Sequence, residues 1–274
     1  MKNTLTIFAI IIIIAASSCV SRRYIYSASP PNNPYFSKKG QSQLTGYYSS
    51  SNSNNLSAEF ADGFDLQGAY AVSDHWAITA GYFSRKEKDV YNYYTYNSSF
   101  DSSVVIYKRN LVDLGGGYFF SLNPKNTIIF NAYGGVGFGK FSFDDNGTAG
   151  NFAYNRYHSS NITKWFFQPS INFTTGDYFR CAFILKSSLI HYGDIQTSYT
   201  VTELSDFSLD KIANKTLYFL EPGLNFQFGI PKYPWVKLDM SISSVSYTAQ
   251  NTLGVRSGNA SIGLSFDLSE IKKQ

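Results

Sequence analysis

Apolar and polar residues alternate with a period of two along most of this chain, the signature of strands that present one apolar side. In residues 63–72, Phe64, Leu66, Tyr70 and Val72 share one face, opposite Asp65, Gln67, Ala69 and Ala71. Trp76, Ile78 and Tyr82 oppose Ala77, Thr79, Gly81 and Arg85 in the same way. Val112, Leu114, Tyr118, Phe120 and Leu122 oppose Arg109, Asp113, Gly115 and Gly117. The clearest case is 164–174, where Trp165, Phe167, Ile171 and Phe173 alternate with Lys164, Gln168, Ser170, Asn172 and Thr174. Segments 217–228, 236–243 and 259–267 repeat the pattern, with Glu221, Lys237, Asp239 and Asp267 on their polar sides.

The connections separate two architectures that periodicity alone leaves open. Short links at 73–75, 123–126, 175–177 and 231–234 alternate with long polar ones at 86–103, 142–161 and 193–214. Tight turns at one end and long loops at the other fit a membrane-spanning barrel, whose apolar faces meet lipid and whose polar faces line a lumen. Strands of about ten residues suit a tilted crossing and exceed the ~5–6 usual in soluble sheets. The expected fold is therefore all-β: an antiparallel, transmembrane up-and-down β-barrel of about ten strands over residues 41–268. An even count puts both ends of the barrel on the short-turn side. The first strand, 41–50, alternates most weakly, so eight is the competing count.

Composition agrees. The chain has 22 Tyr and 23 Phe, while charged residues make up 15%. Strand-forming aromatics with abundant Gly, Ser, Asn and Thr favour β structure, and Tyr suits a surface that meets lipid headgroups. Tyr91, Tyr93, Tyr94 and Tyr96 cluster in the first long link, as a headgroup belt, as packing within the loop, or as a stacking surface for sugars, other cell-surface polymers or a partner protein. A net charge of +4 with no basic stripe gives no reason to expect nucleic acid.

The start of the chain carries a different signal. Lys2 precedes an apolar run from Leu5 to Ala16, followed by Ala16-Ser17-Ser18-Cys19. A basic start, a short apolar run and small residues make an export signal, too short to span a membrane comfortably. The tetrapeptide ending at Cys19 resembles a bacterial lipobox, with Ala16 in place of the usual Leu. That reading gives a lipoprotein signal peptide at 1–18, lipidation (palmitate) at Cys19, a flexible tether at 19–40 rich in Pro, Ser and Asn, and a C-terminal tail at 269–274. The aromatics Tyr24, Tyr26, Tyr35 and Phe36 in the tether are candidates to pack on the barrel rim or plug its mouth. Acidic residues are absent just behind Cys19, which points the anchor to the inner leaflet, facing the periplasm. A lone Cys181 excludes a disulfide framework in the mature chain and reads as a small hydrophobe.

In organisation the chain resembles Bacteroidota-type outer-membrane β-barrel lipoproteins over most of its mature length, on layout and pattern. Residues 259–266 also resemble the closing strand that the barrel-assembly machinery reads. The resemblance implies the outer membrane as location, its lipid and the assembly machinery as partners, and a monomer; it transfers no functional residue.

Candidate chemistry lies in the lumen. The inward charges are Asp65, Arg85, Arg109, Asp113, Lys164, Arg180, Lys186, Glu221, Lys237, Asp239 and Asp267. In a narrow lumen such charges must pair, which gives either a rigidifying network or a charge-selective constriction. Arg180 and Lys186 are placed to face Glu221, and Arg109 lies near Asp113. A rim hydrolase would draw on His158 or His191 with Asp194 and the Asp144-Asp145 pair. No nucleophile elbow occurs, three scattered histidines give no metal spacing, and the glycine clusters lie inside strand patterns, so no cofactor or metal is expected. The leading functional expectation is a structural or surface-interaction role, with slow passage of small solutes as a further capacity. Binding of a lipid or other apolar ligand is the alternative, and rim hydrolysis the third.

Overall fold

A computed structural model describes residues 23–52, 58–94, 100–149, 152–176, 178–213, 215–247 and 253–271. The export signal and Cys19 lie outside the described residues. In chain order the strands are β1 (Tyr24–Ser27), β2 (Ser42–Asn52), β3 (Ala58–Ala71), β4 (Trp76–Tyr94), β5 (Phe100–Ser121), β6 (Ile128–Ala149), β7 (Phe152–Thr175), β8 (Phe179–Thr197), β9 (Thr216–Ile230), β10 (Tyr233–Ser244), β11 (Ser246–Tyr247), β12 (Gly254–Arg256) and β13 (Gly258–Asp267). Helix α1 (Val201–Asp206) and a 3₁₀ turn (Leu209–Lys211) lie between β8 and β9, and α2 (Leu268–Ile271) follows β13.

Ten strands, β2 to β10 and β13, form a closed antiparallel barrel. Closure comes from two ladders: β13 pairs with β2 from Gly258–Asn52 to Asp267–Gln43, and with β10 from Val236–Phe266 to Ser244–Gly258. At one end the links are tight. Asn123 closes one of them, its side-chain oxygen accepting from Thr127 N–H at 2.9 Å and its amide donating to the Thr127 hydroxyl at 2.6 Å. The Ser73 hydroxyl accepts from Trp76 N–H at 2.9 Å in another.

The expectation of uniform ten-residue strands fails on one side of the barrel. Strands β4 to β8 are 19 to 24 residues long, whereas β2, β3, β9, β10 and β13 have 10 to 15. The links expected at 86–103 and 142–161 are mostly strand: β4 and β5 pair up to Tyr94–Phe100, and β6 and β7 up to Ala149–Phe152. The period of two continues there, but the faces exchange character. On β6 the outward residues Phe130, Val136 and Phe138 give way to Lys140, Ser142 and Asp144, while the inward Gly135 and Gly137 give way to the buried Phe141 and Phe143. Read as a single stripe, such a strand looks irregular, and so it resembled a loop.

The apolar outer faces form a band. Along β5 and the residue that follows it, the band runs from Leu122 to Val112, ten steps of about 3.3 Å that would span roughly 25 Å at the ~40° tilt usual in membrane barrels. Tyr48, Tyr82, Trp165 and Tyr218 are exposed at its upper edge, and Tyr70, Trp76, Tyr118 and Tyr233 at its lower edge, as aromatic girdles do. Above the band the interior holds an apolar core that includes Val105, Tyr107, Phe141, Phe143, Ile162, Ile190 and Tyr192, covered by Tyr199, Leu209 and Ile212 from the β8–β9 link.

Candidate functional site

The feature that governs the lumen is the segment expected to be a flexible tether with Tyr24, Tyr26, Tyr35 and Phe36 as candidates to plug the mouth. Residues 23–36 run inside the barrel. Ile25 and Ala28 have no exposed surface, and Arg23, Tyr24, Tyr26, Asn33, Tyr35 and Phe36 are buried. The reversal that sends the chain up the lumen is local. Gln41 Oε1 accepts from Ser37 N–H at 2.6 Å and Lys38 N–H at 3.0 Å, and Gly40 takes φ +82°, a conformation costly for residues with a Cβ. Pro30, Pro31 and Pro34 keep the segment extended and remove backbone donors that the lumen would otherwise have to satisfy.

Its remaining polar groups are met by the wall, level by level. Near the tight-turn end, Phe36 packs edge-on to Phe119, and the Tyr35 hydroxyl donates to Asn225 Oδ1 at 2.9 Å. Asn131 and Asn172 both donate to the Pro34 carbonyl at 3.2 Å, and Ser170 donates to Asn33 at 2.7 Å. Higher up, Gln168 donates to the Asn32 carbonyl at 2.9 Å and Gln67 to the Pro30 carbonyl at 2.7 Å. Tyr26 stacks on Phe219 and donates to Glu221 at 2.9 Å; Tyr192 donates to the Ile25 carbonyl at 2.9 Å. At the far end β1 pairs in parallel with β12, and Arg23 binds Asp145 at 2.6 Å.

Every charge expected to point inward does so, though not always toward the expected partner. Arg85 meets Asp65 at 2.8 Å; Lys237 and Arg180 converge on Asp267 at 2.5 and 3.1 Å. Arg109 pairs with Glu87 rather than Asp113, and Asp113 takes Lys164. Gly137 is what admits that second pair, since a Cβ there would collide with the Asp113 carboxylate. Lys186 stands opposite Glu221 in register and reaches Ser29 at 3.4 Å, while Glu221 also accepts from Ser188 at 2.8 Å. Arg180 stacks over the Tyr35 ring instead of facing Glu221. Asp239 is held by amides, from Asn225 at 2.5 Å and Gln227 at 2.7 Å.

The sequence reading missed a second charged layer above the band. Arg256 binds Glu87 at 2.6 Å and Asp89 at 2.9 Å, so Glu87 bridges two guanidinium groups. Asp145 gathers Arg23, Ser103 and Tyr199, the latter two at 2.5 Å. The signal was present in Arg85-x-Glu87-x-Asp89, three charges at strand spacing on one face, but it fell within a stretch read as a loop. Of the tyrosine cluster in the first long link, Tyr91 is buried beside Tyr107, in keeping with packing rather than a headgroup belt, while the side chains of Tyr93, Tyr94 and Tyr96 lie outside the described residues.

No family model and no curated protein matches the chain. Among solved structures it is similar to the Yersinia pestis outer membrane protein Ail in a phospholipid nanodisc, at 12% identity and TM-score 0.35, covering 83% of this chain and 99% of Ail. It is also similar to the outer membrane protein OprD of Pseudomonas aeruginosa, at 6% identity and TM-score 0.31, covering 89% of this chain and 97% of OprD.

The residues suggested for rim hydrolysis do not converge. His158 points inward and stacks on Phe143, with ring centroids 5.3 Å apart, while His191, an odd number of positions along its strand from the inward Ile190, points outward. Asp194 accepts from Asn161 at 2.6 Å, Asp144 lies 3.6 Å from Lys108 on the outer face, and Asp145 is committed to Arg23. No group of His, Cys, Asp and Glu with metal-binding geometry occurs among the described residues. A gap beside the plug, lined by Ser29, Asp65, Asp113 and Lys186, offers about 30 Å³, room for one or two waters.

Proposed function

We propose that this chain is an outer-membrane β-barrel lipoprotein whose barrel is closed by its own N-terminal segment and serves as the base for a folded, outward-facing cap. Its role is structural or surface interaction, and solute conduction is not part of it. The observation that carries this reading is the filling of the lumen by residues 23–36, each level tied to the wall. An ion-pair network of this kind rigidifies and specifies an interior more than it stabilises it. The tight-turn end faces the periplasm and the long strands project outward, as in other barrels of this build.

Planar-bilayer recording of the purified chain tests the reading. The native protein should show no steady conductance, whereas the double variant Tyr26→Ala, Tyr35→Ala should flicker open. A steady native conductance would rule out a closed barrel. A heat-dependent shift on denaturing gels should accompany the folded state. A second reading, capture of an acyl chain, is favoured by a groove on the lipid side where the β9–β10 ladder ends at Gly223–Ser243, lined by Phe183, Leu224 and Ile242. Crosslinking of a photoreactive fatty acid to Phe183 above the level of neighbouring apolar positions is its test.

A further inference from the structure

We propose that the outward face of β4, β5 and β6, just above the lipid band, binds the phosphate group of a membrane lipid through Lys86, Lys108 and Lys140. The leaflet is the outer one in the orientation proposed above; the phosphate follows from the lysines and is independent of that orientation. Among the described residues, every outward lysine on the barrel wall lies on these three adjacent strands: Lys86 and Lys88 on β4, Lys108 on β5 and Lys140 on β6. Lys164, Lys186 and Lys237, on β7, β8 and β10, are buried inside.

Their height matches lipid headgroups. The apolar band ends at Tyr82 on β4, Val112 on β5 and Phe138 on β6. Lys140 is two residues above Phe138, while Lys86 and Lys108 are each four residues above the end of the band on their own strands. Two residues climb about 5 Å at the usual ~40° tilt. The headgroups add roughly 5–7 Å to each side of the hydrocarbon layer, and long lysine stems can bend toward them.

Folding alone gives no reason for the cluster. Lys86 and Lys108 stand directly opposite each other in the β4–β5 ladder, and Lys140 lies opposite Asn110, two residues from Lys108. Like charges in direct opposition destabilise a sheet. The nearby carboxylates are too few to cancel them. Asp144 lies 3.6 Å from Lys108, with the side chains still 50% and 60% exposed. Asp62, opposite Lys86 on β3, accepts from the Tyr48 hydroxyl at 2.5 Å. Lys86 and Lys140 form no ion pair among the described residues. A phosphate set among the three ammonium groups supplies the missing anion, which lysine binds as a point charge.

The test is native mass spectrometry of the refolded full chain in detergent, titrated with lipid A carrying two phosphates and with the same lipid stripped of phosphate. A detergent micelle has no sides, so the result judges the lysines whatever the orientation in the membrane. The phosphorylated lipid should give a saturable adduct that weakens as salt is added. Lys86→Gln, Lys108→Gln and Lys140→Gln should each lower its affinity about fivefold, whereas Lys125→Gln, in a tight turn, should leave it unchanged. Asp144→Asn, which frees Lys108 from its carboxylate, should raise the affinity. The heat-dependent gel shift shows that each variant is folded. Equal binding of the two lipids, lysine variants that bind like the native chain, or a loss of affinity on Asp144→Asn would each overturn the proposal.

Discussion

The lower and upper halves of the long wall share strands, register and hydrogen-bond ladders, yet they are built on opposite rules. Below Phe138 on β6 the wall shows apolar side chains to its surroundings and holds Asn131 and the small Gly135 and Gly137 inside. Above it Lys140, Ser142 and Asp144 face out, while Phe141 and Phe143 are packed inside. Strand β7 reverses at the same height, from Trp165 and Phe167 outside to Asn161 and Ser159. The outward change marks where lipid ends and water begins. The inward change has a second cause: the upper interior is roofed by Tyr199, Leu209 and Ile212 and so becomes a core of the soluble kind. The threaded segment passes through both: Tyr24, Ile25, Tyr26 and Ala28 join the upper core, while residues 30–35 meet polar partners in the lower interior.

The contrast breaks most sharply at buried aromatics. Phe143→Ala removes packing against Tyr107, Phe141, His158 and Tyr199 and should cost about 3–5 kcal/mol. Phe138→Ala, which faces lipid at 55% exposure, should cost less than about 1 kcal/mol, because lipid tails fill the space. Reversible unfolding in lipid vesicles measures both; equal losses would mean that the two halves are not distinct.

Charge on the outer face gives the next largest difference. Leu114→Arg, within the band but near its upper edge, should destabilise by about 1–2 kcal/mol in the same assay. Asn110→Arg, four residues toward the upper half on the same face of β5, should stay within about 0.5 kcal/mol if the membrane boundary lies between them.

The roof can be loosened alone. Helix α1 starts with a capping box, in which Thr200 Oγ1 accepts from Glu203 N–H at 3.3 Å and Glu203 accepts from Thr200 N–H at 2.7 Å. Thr200→Ala should cost this link about 1 kcal/mol, seen as faster amide exchange at Phe207 with the barrel ladders unchanged.

The smallest effect is pH-dependent. Partial burial works against ionisation of Glu203, but the Thr200 amide and hydroxyl and Arg156 outweigh it and hold the carboxyl below its ordinary range. A depressed folded-state value stabilises α1 above the unfolded carboxylate range and is lost as pH falls through the folded one. Exchange at Phe207 should therefore rise on acidification, beyond the intrinsic pH dependence, and Glu203→Gln should abolish that rise.

By itself, the sequence determined the barrel, its strand direction and which charges face inward, because side-chain alternation and turn chemistry are local and repeat in every strand. It also contained the upper half of the wall, but with its polarity reversed and therefore hard to recognise. The pairing of Arg109 with Glu87 and of Asp113 with Lys164, and the path of residues 23–36, were decided only by the closed ring. Partners more than a hundred residues apart, such as Arg23 and Asp145, meet because the wall brings them to one height around a shared interior. A segment rich in Pro, Ser and Asn has no core of its own, and only the lumen that surrounds it supplies the partners that order it.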